Sequence, residues 1–320
     1  MTFLVEQTDC CRIVRSLALP AARASILSGE LLQPRELSDE RRRIPAEAVA
    51  RFFGLDDAEA SSLARLDTFE QWAEQVCRGP AGQGPSRLVF STSGSTGPPV
   101  SHSFSAQELE EEGRSLAAFF ATIKRVVSVM PVHHIFGFAF AVVLPRILGI
   151  EVLDRHPLPS EDFFKTLRPG DLVLAFPVFW KSVQDICSGP RPPVLPPEIH
   201  GVSSGAPCPP EVIEGLLAVR PDGGRPLCAG MTEIYGATEF GAVGLRRECQ
   251  GDYVLLPHWQ RVALPGEADG EEWGIRREYG EPQPLPDRLV WRDERHFEPR
   301  RRKDKAVQVA GINVFPEQVA

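Results

Sequence analysis

No Cys-x-x-Cys pair occurs in this 320-residue chain, whose seven cysteines are scattered and odd in number. Cys10 and Cys11 are adjacent and do not suit pairing with each other, so a reducing compartment fits best. No charge of one sign dominates: 35 Lys and Arg stand against 43 Asp and Glu, a net charge of −8, which argues against nucleic acid or a membrane surface as partner. The compact basic cluster at 300–305 reads as a solvated face. No basic segment followed by a sustained apolar run opens the chain, so no export signal is expected. The longest apolar stretch, 135–153, is broken by Pro145, Arg146 and several glycines and reads as a buried helix, not a membrane span. There is no internal repeat, no low-complexity tract and no Gly-x4-Gly-Lys-Ser/Thr phosphate loop. These absences predict a soluble, cytoplasmic protein.

What is present begins at residues 91–103, Ser-Thr-Ser-Gly-Ser-Thr-Gly-Pro-Pro-Val-Ser-His-Ser. Small hydroxyl residues and glycines in series cannot build a core, but their N–H groups and hydroxyls can converge on an anion. An apolar run at 87–90 precedes this loop, and Ser105 with Glu108 matches a capping box after it. The order read here is strand, phosphate-type loop, helix; taken alone, the loop could equally be a flexible linker.

Upstream, Leu63, Leu66, Phe69, Trp72, Ala73 and Val76 recur at helical spacing, so residues 1–85 form a helical segment. From 86 to 245, strand candidates at 87–90, 125–130, 151–153, 171–176 and 201–203 alternate with helix candidates near 105–120, 137–148, 160–167, 179–187 and 209–219. That rhythm predicts an α/β sheet with helices on its faces. Shorter Gly- and Pro-punctuated segments over 246–302 suggest a smaller β-rich subdomain. In 303–320, Val307 and Val309 alternate like a strand, Gly311 allows a turn, and Pro316 with Glu317 marks a helix start. A further domain is expected to begin there.

Three more elements follow the loop in order. Tyr235-Gly236-Ala237-Thr238-Glu239 puts an aromatic face, a hydroxyl and a carboxylate within five residues. Ser204-Gly205-Ala206-Pro207 is a small-residue loop that a planar ring can approach. Arg302-Lys303-Asp304, followed by Gly311-x-Asn313-x-x-Pro316-Glu317, looks like a hinge into a separate lobe. Together, over roughly 88–320, these resemble the adenylate-forming superfamily of acyl- and aryl-CoA ligases, peptide-synthetase adenylation domains and luciferases.

The resemblance implies an α/β fold, the family's large N-terminal lobe with helix-flanked sheets and a smaller β-rich subdomain. It also implies a carboxylate attacking the α-phosphate of ATP, with Mg2+ as cofactor. Ser93, Gly94, Ser95, Thr96 and Gly97 would wrap the β- and γ-phosphates. Thr238 would bind the α-phosphate, and Glu239 would hold the metal. Tyr235, with Gly236 beside it, would flank the adenine, with Gly205, Ala206 and Pro207 on its other face. His134 and Phe136, within Pro131-Val132-His133-His134-Ile135-Phe136-Gly137, would line the acid pocket. Asp287, at family spacing before Arg302, would hold the ribose hydroxyls; Gly251-Asp252 resembles the family dipeptide but comes too early. Gly230-Met231-Thr232-Glu233 imitates the threonine–glutamate motif without the preceding tyrosine, so the motif is assigned to 235–239. The acceptor would be CoA or a carrier protein, and the substrate a small aromatic acid, as in aryl-acid ligases of pigment or secondary-metabolite pathways.

Val100 stands where the family's loop carries a lysine, and Gln308 where its hinge does. The small lobe with the lysine that assists adenylation is expected beyond Ala320. The chain is thus expected to bind ATP and acid but turn over poorly by itself; a non-catalytic adenylate-binding relative is the alternative. Cys208 is expected to pack.

Overall fold

The computed structural model describes residues 5–22, 32–79, 84–91, 100–193, 195–218, 225–247, 251–264, 273–278, 280–303, 307–309 and 312–314. The first part is helical: α1 (Gln7–Ala22), a 3-10 turn (Pro34–Glu36), α2 (Asp39–Phe52), α3 (Asp57–Leu63) and α4 (Phe69–Arg78). The apolar positions between 63 and 76 pack inward as their spacing predicts, yet Leu63 ends one helix, Leu66 lies in the link and the others belong to the next helix. Thr68 explains the break. Gln71 N–H donates to Thr68 Oγ1 at 3.2 Å and Thr68 N–H to Gln71 Oε1 at 3.1 Å, a capping box that starts a new helix at Phe69.

Strands β1 (Arg87–Ser91) and β2 (Ser101–Ser105) pair antiparallel, with Phe90 opposite His102. The hydroxyl- and glycine-rich segment 92–99 joins them and lies outside the described residues. The expected order is therefore corrected to strand, loop, strand, helix. β2 carries a single buried apolar side chain, Phe104, among serines and His102, so no alternation advertised it. Helix α5 (Ala106–Phe119) begins at the expected box: Ser105 N–H donates to Glu108 Oε2 at 2.7 Å and Glu108 N–H to Ser105 Oγ at 3.3 Å.

The chain continues through β3 (Arg125–Ser128), α6 (Ile135–Phe138), a π turn (Ala139–Val143), α7 (Leu144–Leu148), β4 (Glu151–Asp154) and α8 (Glu161–Thr166). Next come β5 (Asp171–Ala175), α9 (Pro177–Cys187), β6 (His200–Ser203), α10 (Pro210–Leu217), β7 (Gly230–Ala237) and β8 (Gly241–Arg247). The remaining strands are β9 (Tyr253–Leu255), β10 (Gln260–Ala263), β11 (Trp273–Arg276), β12 (Asp287–Trp291), β13 (His296–Arg302), β14 (Val307–Val309) and β15 (Ile312–Val314). Nine of them form one sheet in the order β12-β13-β9-β8-β7-β6-β5-β3-β4. Of the β-rich stretch after 246, β9, β12 and β13 thus extend the large sheet, while β10 and β11 make a separate ribbon. The boundary drawn at 245/246 falls inside β8.

Strands β4, β3, β5, β6 and β7 run parallel, each joined to the next by a helical crossover. Their side chains alternate between two cores. Val126, Leu172, Leu174 and Val202 face the α1–α7 side, and Val127, Val173 and Ala175 face α8–α10. The run at 135–153 is helix to Leu148 and then strand. Pro145 has no N–H to give the Ala141 carbonyl, and the helix widens into its π turn there. The Arg12 guanidinium supplies the missing donor, Nη1 to Ala141 O at 2.7 Å, while its Nε and Nη2 grip Asp154 at 2.6 and 2.7 Å. Among the described residues no helix is long and apolar enough to cross a membrane.

Candidate active site

In an open parallel sheet, ligands lodge outside the carboxyl ends of the strands, where the strand order reverses. Here β3 leads to β4 on one side, and the chain then returns to place β5 on the other. The carboxyl ends of β3, β5, β6 and β7 carry, in turn, the His133–His134 segment, Phe176, the Gly205 loop and the Thr238–Glu239 turn. Most of the expected site residues therefore share one end of the sheet.

The Tyr235–Glu239 motif ends β7 and turns into β8. Phe240 N–H donates to Ala237 O at 3.1 Å, closing a four-residue turn with Thr238 and Glu239 at its centre. Phe240 is buried and packs edge-on against Trp259, ring centroids 6.2 Å apart, so the turn is anchored by its last residue. The β7–β8 register shifts between Tyr235 and Gly236, and a Cβ at Gly236 would lie 2.2 Å from the Gly241 carbonyl oxygen. The glycine in the motif is thus a packing requirement.

Tyr235 donates its hydroxyl to Asp287 Oδ2 at 2.7 Å, across 52 residues of sequence. Its ring meets Phe297 and Tyr253 at centroid distances of 5.4 and 5.9 Å. Burial, the Asp287 carboxylate and Glu239 push the phenol well above its usual range, against the opposing pull of Arg302. Asp287 and Arg302 are partners across β12–β13. The structure therefore brings Tyr235, Asp287, Arg302 and the Thr238–Glu239 turn into one cluster. Asp252, the rejected alternative, pairs with Arg292 at 3.4 Å.

The Gly205–Pro207 loop lies beside this cluster. Ser204 Oγ donates to Ile234 O at 3.2 Å and Cys208 N–H to Glu233 Oε1 at 3.2 Å, fixing both ends of the loop to β7. Gly205 has φ +87° and nothing within 4 Å of its Cβ position, an open backbone surface that a planar ring can approach. Glu233 is 3% exposed and takes both Arg246 Nε and Nη2 on Oε2, at 2.9 and 2.6 Å. The imitation motif at 230–233 thus contributes a buried strut. Cys208 is buried.

His134 opens α6 and is exposed; Phe136 is half-buried, 5.1 Å from Phe140 between centroids. His133 lies beside His134, ring centroids 4.6 Å apart, with its Nδ1 2.8 Å from Ser16 Oγ, and burial lowers its pKa to about 3. Ser93, Gly94, Ser95, Thr96 and Gly97 lie outside the described residues. Glu112 on α5 escaped the sequence reading. It is 1% exposed, accepts the Ala242 N–H on Oε1 at 2.8 Å, and burial raises its pKa to about 7. Its signal was available, because Leu109, Glu112, Gly113 and Leu116 share one buried helix face. Among the described residues no cluster of three or more His, Cys, Asp or Glu could hold a metal. A single carboxylate on an accessible turn suits Mg2+, which is commonly held by one or two carboxylates together with substrate phosphates.

The fold is that of the large lobe of adenylate-forming enzymes. The O-succinylbenzoate CoA synthetase of Bacillus subtilis, solved in complex with ATP and magnesium ion, superposes with a TM-score of 0.59 at 14% identity, covering 98% of this chain and 77% of that one. No family model matches the chain. A 4-coumarate–CoA ligase of Halorhodospira halophila is 37% identical over 277 residues, 86% of this chain and 66% of that protein. One of Rhodobacter capsulatus is 33% identical over 276 residues, covering 83% and 66%. The chain is related to these CoA ligases and shares the large-lobe fold of adenylate-forming enzymes. It spans 66% of the length of each of these two relatives, just short of two thirds.

Proposed function

We propose that this chain is the nucleotide- and acid-binding lobe of a cytoplasmic ligase that activates a small aromatic acid with Mg-ATP. The carboxylate oxygen attacks the α-phosphorus, the bond from that phosphorus to the oxygen bridging the α- and β-phosphates breaks, pyrophosphate leaves and the aryl-adenylate stays bound. The whole enzyme then transfers the acyl group to a thiol, that of CoA or of a carrier protein. The observation that carries this reading is the Tyr235–Asp287 hydrogen bond beside Arg302 and the Thr238–Glu239 turn, at the carboxyl end of a parallel sheet. Asp287 accepts the ribose hydroxyls, and its bond to Tyr235 fixes its orientation. Thr238 donates to the α-phosphate. Glu239 would hold Mg2+, whose charge would screen that of the two reactants. Gly205, Ala206 and Pro207 offer the adenine a flat backbone face; Ser93 to Gly97 enclose the terminal phosphates. His134 and Phe136, after β3, border the acid. The division at 85, 245 and 302 is part of the same proposal.

The two glutamates of the paired motifs separate function from structure. Glu239→Ala is expected to weaken Mg-ATP at least tenfold in calorimetry while the nucleotide-free protein melts as before. Glu233→Gln removes the buried charge facing Arg246 and is expected to cost about 2 kcal/mol or more of stability. Equal Mg-ATP affinity in wild type and Glu239→Ala would sink the assignment. Val100, exposed and in the lysine's place, favours a second reading, a non-catalytic holder of the adenylate. That protein would bind the adenylate yet show no acid-dependent pyrophosphate exchange with a second lobe supplied.

A further inference from the structure

Ala242, the second residue of β8, is held from both sides. Its N–H goes to Glu112 Oε1 at 2.8 Å, and its carbonyl accepts Trp259 Nε1–H at 2.9 Å. The second carboxylate oxygen, Oε2, is buried without a hydrogen-bond partner and lies 2.2 Å from where a Cβ would stand on Gly241, whose φ is +76°. Only a glycine admits the carboxylate so close to the turn. The turn itself, Ala237–Phe240, ends at the residue before Gly241.

The other end of this contact is equally defined. Glu112 lies on the second turn of α5, and α5 is capped directly onto β2, the strand that receives the chain from segment 92–99. Gly113 beside it lets α5 sit against the π turn, since a Cβ there would meet Val143 Cγ1 at 2.4 Å. Arg277 closes the far side: its Nη1 donates to Glu108 O at 3.1 Å, it stacks over Trp259 at 4.6 Å, and its charge favours an ionised Glu112. An uncompensated buried carboxylate is costly, and a leucine of similar volume would pack there without that cost. Shape alone does not call for Glu112.

The geometry points to Glu112 as a positioning residue: it ties α5, the helix that follows the β1–β2 hairpin, to the start of β8, so that the Thr238–Glu239 turn is held in place for the nucleotide. This role rests on the nucleotide site proposed above. It acts through the Ala242 amide, and Glu112 itself touches no substrate.

The test compares Glu112→Gln, which keeps an acceptor for the amide, with Glu112→Leu, and with Glu112→Ala should the leucine variant not fold. Two readouts are taken on the same proteins: amide hydrogen exchange over 237–244 without nucleotide, and Mg-ATP affinity by calorimetry. The expected result is at least tenfold faster exchange at Ala242 and about tenfold weaker Mg-ATP in the leucine or alanine variant, with both values near wild type in Glu112→Gln. A folded Glu112→Leu or Glu112→Ala protein that binds Mg-ATP like wild type overturns the positioning role, whatever its exchange rate. So does a glutamine variant as weak as the leucine one. A wild-type protein that binds no Mg-ATP overturns the nucleotide site, and this role with it, and is told apart because the loss is then already present before any substitution.

Discussion

Asp171→Ala is expected to remove about 3–5 kcal/mol of stability, a large share of the roughly 5–15 kcal/mol that holds a domain folded. Asp171 and Arg125 are register partners at the amino ends of β5 and β3, with side chains 1% and 9% exposed. Arg125 binds the carboxylate with Nε at 2.9 Å and Nη2 at 2.6 Å, and Nη2 also reaches Thr166 O at 2.7 Å. Asp171 additionally accepts the Arg168 N–H at 2.7 Å. Alanine leaves a guanidinium buried without its counter-charge and an amide without its acceptor. The intact pair need not be a net gain, because both ions were taken from water; breaking one side is what costs. Replacing both by leucine should therefore recover much of the loss. The pair lies at the opposite end of the strands from the candidate site, so the folded fraction of Asp171→Ala should bind Mg-ATP with unchanged affinity. Urea unfolding of the single and double variants checks this, and a loss under 1 kcal/mol would contradict it.

Stability should also fall steeply on mild acidification. Burial lowers the pKa values of His133 and His258 to about 3 and of His200 to about 4, from an ordinary 6.5. Below pH 6.5 the unfolded chain takes up protons that the folded chain refuses, and each such group removes up to about 1.4 kcal/mol per pH unit until its folded-state value is reached. Glu112 works in the opposite sense. Its folded value of about 7 lies above the ordinary 4.5, so between those values acidification favours the folded form by a similar increment. Asp9, also raised by burial, adds to that opposition nearer pH 4. Three histidines against one glutamate leave a net loss of about 2–3 kcal/mol per pH unit between pH 6 and 5. Urea midpoints at pH 7, 6 and 5 measure it. His258→Asn should reduce the slope by about one group's share, and a stability that stays level over that range would contradict the burial of these rings as neutral groups.

Strands β3 to β6 were legible because each carries a short β-branched or apolar run between helical segments, and β3 and β5, buried on both faces, leave little room for other readings. The capping box at Ser105 is equally local and legible; the one at Thr68 is set by residues three apart as well but is easily passed over, because the apolar spacing runs on across it. The β2 strand was not legible, since its structure comes from pairing with β1 and not from its own serines. The same holds for β7 and β8: glycines at 236 and 241 look like breakers until the bulge between the two strands is seen. In the site, the Tyr235–Glu239 motif is contiguous and stood out, whereas the Tyr235–Asp287 contact spans 52 residues and was reachable only through spacing relative to Arg302. Glu112 hid inside Glu110-Glu111-Glu112, a triplet that reads as a solvated face. Its burial follows from helical phase, and its contact with Ala242, 130 residues away, from the fold alone.

The central claim is an adenylate site for an aryl acid, and the measurement that tests it most directly is calorimetric or thermal-shift binding of a panel of aryl and alkyl acyl-sulfamoyl-adenosines. At a hundred times its dissociation constant, a ligand specific to the folded chain adds about 2.7 kcal/mol of stability. The account predicts that an aryl analogue produces this shift, that alkyl analogues give less, and that Asp287→Ala abolishes most of it. No shift with any analogue, or an equal shift in Asp287→Ala, would contradict it.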